Sequence, residues 1–180
     1  IRNRSERFKE ALPSVIAGLR VGAGAGWQSL IGADLIASNS GIGLLMVRAQ
    51  AAAIVAPTDP HDSLAHAEHI ADWVGLHVQF LRDPADVERI AAPWTLLTDI
   101  AQHYYTQGDC DDMATLVAAL ALAAGLSAMF VTVGLDHPDA PFTHVYATLQ
   151  GPGMSGWFDV DPARTETDGH RITTLATWPV

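Results

Sequence analysis

The chain has 180 residues, 49% hydrophobic and 17% charged, which excludes a disordered polypeptide and allows one good core. Its single cysteine, Cys110, excludes a framework of intrachain disulfides and leaves that thiol free for burial or for chemistry. A net charge of −10 argues against binding to phosphate backbones, which demands clustered Lys and Arg, so no nucleic-acid partner is expected.

The charge is unevenly placed. Residues 1–50 carry six basic and three acidic side chains, and residues 51–180 carry four basic and seventeen acidic ones. This shift marks a seam near 50–58 and predicts two parts, a helical segment over 1–50 and a second domain over 51–180. Arg20, Asp34 and Arg48 interrupt every apolar run long enough to span a bilayer. The first residues also lack the basic-then-apolar pattern of a leader. A soluble protein, cytoplasmic or otherwise aqueous, with no membrane span is the expectation.

In chain order, RNRSERFKEALPSVIAGLRV begins with charges at helical spacing, and GAGAGWQSLIGADLIASNSGIGLLMVRAQ alternates small residues with aliphatics, as closely packed helices do. Through the LPSVIAGLRV run, Trp27 and ADLIASNSGIG, residues 11–50 resemble the cytoplasmic-loop signature of ABC-transporter permeases of the nitrate/sulfonate type. A lone coupling loop transports nothing. The segment therefore reads as a fused or captured fragment whose helices pack on the core or pair into a homodimer. GAGAG at 22–26 lacks the strand–helix context and the Lys-Ser/Thr ending of a phosphate loop.

After Pro57, the string TDPH predicts a helix start, with Asp59 as cap, Pro60 in the first helical position and Asp62 in the first turn. That helix would place Leu64, Ala67, Ala71, Val74 and Val78 on its buried face. His61, His66 and His69, with Asp62, crowd the same helix without a third ligand at metal spacing, and are expected on a solvated face. DPADVERIAAPWTLLTDIAQHYY predicts short helical pieces broken at Pro84 and Pro93. A helix over 110–124 follows, ended by Gly125 in a left-handed cap. SAMFVTVG, FTHVYATL and GWFDVDP then read as three strands with Gly, Pro and Asp in the turns between them. Helices first and antiparallel strands after predict an α+β fold. Trp73, Trp94 and Trp157 are expected in the core or on the wall of a cleft.

The thiol sits at the doorstep of the apolar helix and not inside it. With Asp109 as N-cap, Cys110 falls on the first turn, where free N–H groups and the helix dipole favour a thiolate. Met113, Leu116, Val117, Leu120 and Ala124 anchor the helix behind it. Asp109, Asp111 and Asp112 pull the other way, so the site needs a cation nearby. They are read as capping residues and not as a metal loop, because no glycine-spaced ligand series accompanies them. His144 shares a strand face with Tyr146, and Asp159 and Asp161 share one with Trp157. Thiol, histidine and carboxylate form a set of nucleophile, base and orienter, with the third place open between two aspartates.

GDCDD before an apolar helix, then FTHVY, then GW-x-x-x-DP, closely resembles the transglutaminase-like superfamily, in particular its compact bacterial and phage-associated members. The likeness runs from about residue 45 to 165 and takes in WVGLHVQFLRDPADVERIAAP. It implies a papain-like α+β core, with the helix carrying the cysteine packed on a small antiparallel sheet. It also implies Cys110 as nucleophile, His144 as base and Asp161, in the Asp-Pro pair, as orienting carboxylate. Asp159 stands as an in-register competitor, and Tyr146 stands where many members have Trp.

The function expected is thiol-dependent acyl transfer, in which the sulfur attacks an amide or ester carbonyl and an acyl-thioester forms. The Cys110 N–H would stabilise the oxyanion together with Gln107, Tyr104 or Tyr105. Hydrolysis of a small ester, amide or peptide is expected ahead of amine transfer, since one lysine gives no sign of a crosslinking apparatus. A non-catalytic module of a phage-like particle is the rival from another class. No cofactor and no metal are expected.

Overall fold

The computed structural model describes residues 41–84, 89–136, 142–163 and 172–180. The expectations placed on residues 1–40, including the permease-like stretch and the pairing of its helices, lie outside the described residues. Among the described residues of the unit Ile42–Val180 there are four helices and six strands.

Helix α1 (Ile42–Val55) buries Val47, Ala51 and Ile54, spaced four and three apart so that they form one stripe. It runs through residue 50 and ends at Val55, inside the 50–58 region where the charge shifts. Helix α2 (Ser63–His77) begins three residues later than TDPH predicts. Asp59 instead closes its own turn, accepting from the His61 N–H at 2.9 Å, and Asp62 takes the N-cap, accepting from the Ala65 N–H at 3.0 Å. The buried stripe of α2 is Ser63, His66, Ala67, Ile70 and Val74. His66 is thus a core-facing residue and not part of a solvated face, while Leu64, expected inside, is exposed. Trp73 stacks on His77 at 4.4 Å between ring centroids, and His77 Nδ1 donates to the Trp73 carbonyl at 2.8 Å.

The chain passes directly from α2 into strand β1 (Val78–Phe80), which pairs in parallel with β2 (Thr106–Gly108). Between them lies α3 (Pro93–His103), which Pro93 opens at its first position rather than breaks. Tyr104, in a left-handed conformation at φ 70°, closes that helix.

Helix α4 (Cys110–Ala123) is the centre of the molecule. Met113, Ala114, Leu116, Val117, Ala118, Leu120 and Ala121 are buried around its circumference, against the other three helices on some sides and strand β4 on another. Its end is a Schellman motif: Gly125 at φ 85° lets the Leu126 N–H reach the Ala121 carbonyl at 2.9 Å and its own N–H reach Leu122 at 3.1 Å.

Strands β3 (Ser127–Leu135), β4 (His144–Gln150), β5 (Phe158–Val160) and β6 (Ile172–Pro179) form an antiparallel sheet in the order β5-β4-β3-β6. Ala147, Leu149 and Val160 share the core with Leu116 and Leu120 of α4. The fold is the expected α+β arrangement, a cysteine-bearing helix packed on a small antiparallel sheet.

Candidate active site

Cys110 is the first residue of α4, half-buried and free of any disulfide. Asp109 holds the N-cap position, and its carbonyl accepts the first helical hydrogen bond, from Met113 at 3.1 Å. Its side chain makes no capping bond. Asp109 thus caps through its position alone, while the carboxylates of Asp111 and Asp112 meet backbone N–H groups of the same first turn, those of Asp112 and Asp109. Asp112, 7% exposed, accepts from the Ala91 N–H at 2.6 Å and so ties the first turn of α4 to the segment leading into α3. Burial pushes its carboxyl up, the Ala91 bond pulls it back, and the charge on Asp109 pushes it up again.

Asp111 is raised to about 8, first by burial, then by a hydrogen bond with Asp109 and by the negative charges of Asp109 and Asp112. Oxygens of all three carboxylates lie within 4.8 Å of one another, compact enough to share a cation or a proton. The bond between Asp109 and Asp111 is the proton-sharing arrangement. With Asp111 protonated at neutral pH, the surroundings of the thiol are less negative than three aspartates in the sequence imply.

His144 opens β4 and is 6% exposed. Its Nε2 lies 2.8 Å from Asp161 Oδ2. Cys110 stands close enough to the same ring to favour its charged form. Burial disfavours the imidazolium, but the bond to Asp161, the nearness of Cys110 and the charges on both outweigh it and raise the group to about 9. The structure therefore brings Cys110, His144 and Asp161 together around one imidazole.

Ladder register separates the two aspartates. Ala147 pairs with Val160 and Thr148 with Asp159. One more step sets Asp161 opposite Tyr146 and diagonal to His144, while Asp159 is diagonal to Tyr146. Asp159 accordingly lies near enough to Tyr146 to act on its hydroxyl. Burial first, then the charges of Asp159 and Asp161, raise the Tyr146 pKa. The rings of Tyr146 and His144 lie 6.2 Å apart.

Of the three donors expected for an oxyanion, Tyr104 is the exposed closing residue of α3 and Tyr105, next to it, is half-exposed. Gln107 is the central residue of β2, opposite Gln79, two residues before the N-cap of α4. Sequence reasoning missed the part played by Gly108. A Cβ there would stand 2.7 Å from the Asp112 Cβ and 2.8 Å from its Oδ2, so the glycine makes room for the carboxylate that fixes the first turn. The signal was available as a glycine directly before the Asp-Cys-Asp-Asp run.

Residues 48–162 match the model of the transglutaminase-like superfamily. The chain belongs to that superfamily. Its core is similar in fold to a solved structure, a proposed cysteine protease from Cytophaga hutchinsonii. The TM-score is 0.51 at 17% identity, over 74% of this chain and 42% of that one. A second likeness is to the taurine transport system permease protein TauC of Escherichia coli (strain K12), 47% identical over 36 residues. That match covers 20% of this chain and 13% of the permease. This transglutaminase-like chain thus spans less than half the length of either protein. No helix among its described residues is long and apolar enough to cross a membrane.

Proposed function

We propose that this protein is a thiol-dependent acyl-transfer enzyme of the transglutaminase-like type, with Cys110 as nucleophile, His144 as its base and Asp161 as the orienting carboxylate. The observation that carries the reading is the 2.8 Å bond between His144 Nε2 and Asp161, with the Cys110 thiol beside the same ring. The thiol proton passes to His144, and the raised imidazole pKa favours keeping it there. The sulfur attacks an amide or ester carbonyl. The tetrahedral oxyanion lies against the Cys110 N–H at the start of α4, with a second donor from Gln107, Tyr104 or Tyr105. As the C–N or C–O bond breaks, His144 returns the proton to the leaving amine or alcohol, and an acyl-thioester remains on Cys110. Water, deprotonated by His144, then releases the acid and restores the thiol.

Hydrolysis is favoured over transfer to an amine because a single lysine in 180 residues offers no sign of self-directed crosslinking. Chromogenic esters, peptide amides and a glutamine-donor/amine pair, assayed side by side, test the assignment. Turnover of an ester or amide that disappears in Cys110→Ala is the expected result. Turnover that persists in that variant, or none with any substrate class, would overturn it.

A further inference from the structure

At about 3.3 Å per residue, the seven residues of β4 carry the chain about 20 Å from His144 to Gln150. There, at the opposite end of α4 from Cys110, the N-terminus of α2 faces the turn that follows β4. Two adjoining cavities of about 500 and 340 Å³ open at this junction and share His61, Ser63, Pro152 and Gly153 in their walls. The walls are built tightly. Buried Ser63 donates to the Pro152 carbonyl at 2.9 Å, and a Cβ on Gly151 would stand 2.6 Å from both the Ser63 Oγ and a Leu126 methyl.

His66 lines the smaller cavity. It is 7% exposed, and its buried Nε2 has no hydrogen-bond partner. An imidazole nitrogen left so in the core costs free energy that a ligand group would recover. In the larger cavity, Asp59 and Asp62 each have Oδ1 engaged by a backbone N–H, which leaves the second oxygen of each for another donor. Half-exposed Trp157 stands in the same wall. Among the described residues, no Lys or Arg lines either cavity. The helix N-terminus by itself would favour an anion, but Asp62 already takes the Ala65 N–H there and two carboxylates stand in front of it.

We propose that this double cavity is a binding site for a small organic cation of the lysine type. Its protonated amine lies between Asp59 and Asp62 beside the Trp157 ring, and a neutral polar group at its other end meets His66. An ammonium over an aromatic face gains from the ring quadrupole, and the volume suits a ligand the size of one amino-acid derivative. The site is remote from the thiol, and nothing in it depends on the reaction proposed above.

Calorimetric titration of the full chain with Nα-acetyl-lysine N-methylamide, and with the norleucine and glutamate derivatives of the same form, tests it. The lysine derivative should bind at least about tenfold more tightly than norleucine, a difference near 1.4 kcal/mol, and the glutamate derivative more weakly than either. Asp59→Asn, in an exposed turn outside α2, and Trp157→Ala should each weaken the lysine derivative severalfold while the circular dichroism spectrum stays unchanged. Equal affinity for lysine and norleucine, tighter binding of glutamate, lysine binding indifferent to both substitutions, or no heat with any probe would overturn the proposal.

Discussion

Asp159 and Asp161 are two residues apart, and one step of the β4–β5 ladder decides which of them reaches His144. Asp159 acts on the Tyr146 hydroxyl instead. Asp161→Asn should therefore lower kcat steeply, toward the ~10⁴-fold loss typical of an orienting carboxylate, while Asp159→Asn stays within the same order of magnitude as the parent. Steady-state kinetics of the two variants decide it, and the reverse ranking would move the role to Asp159. A second effect concerns Asp111, whose carboxyl is raised to about 8 in the fold from an ordinary value of 3.8. The native state then holds a proton that the unfolded chain gives up, so this group costs stability increasingly as pH rises from about 4 to 8. Asp111→Asn should leave the melting temperature near that of the parent at pH 4 and raise it by about 2–4 °C or more at pH 8, the shift of roughly 1 kcal/mol in a domain of this size. His144 runs the opposite way. Its raised pKa contributes stability in full below about 6.5, and that contribution fades as pH passes through about 9.

At the scale of elements, α4 does two jobs at its two ends. Its C-terminus is set by the Schellman turn at Gly125, and its first turn by Asp112 held between Gly108 and the Ala91 N–H. Gly108→Ala forces the carboxylate aside, because a contact of 2.7 Å between carbon atoms is not tolerated. A stability loss of about 1–3 kcal/mol by denaturant unfolding is expected, with a fall in kcat larger than that of a core variant of equal instability, such as Leu120→Ala. Equal kcat in the two variants would show that the first turn needs no such support. The elements legible in the sequence were those with long, strongly patterned runs. Helix α4 stood out through its apolar length, and β3, β4 and β5 through β-branched and aromatic residues between turn signals. Strands β1 and β2 are three residues each, too short for any period to show, and β2 reads Thr-Gln-Gly. Strand β6 reads Ile-Thr-Thr-Leu-Ala-Thr-Trp-Pro, with its large apolar residues three apart instead of alternating, and its partner β3 holds it through the ladder rather than through a pattern of its own. The start of α2 was misplaced because Asp59 and Asp62 both offer a cap, and only Asp62 has the helix behind it. His66 was misread for a related reason. It lies one turn from Ser63 and from Ile70, and core position overrides the polarity of the ring.

For the molecule as a whole, the candidate site draws its residues from the start of one helix and from two strands that follow it. Cysteine and Asp-Pro, which the sequence places 51 residues apart, meet because α4 packs on the sheet that β4 and β5 complete. The helix start pointed to Cys110 and the strand pattern to His144, whereas alternation set Asp159 and Asp161 on one face and only the resemblance to the family's Asp-Pro pair favoured Asp161. Proton sharing between Asp109 and Asp111, the Asp112 tie to Ala91 and the cavities beyond Gln150 depend on contacts across the chain that no local pattern encodes. The central claim is that His144 holds Cys110 as a reactive nucleophile. Its most direct test is the rate of alkylation of Cys110 by iodoacetamide between pH 5 and 10, in the parent and in His144→Ala. The expected result is alkylation at least about tenfold faster than that of free cysteine at pH 6, a change in rate near pH 9 as His144 loses its proton, and loss of both in the variant. A single rise that tracks an ordinary thiol near pH 8.5, identical with and without His144, would contradict it.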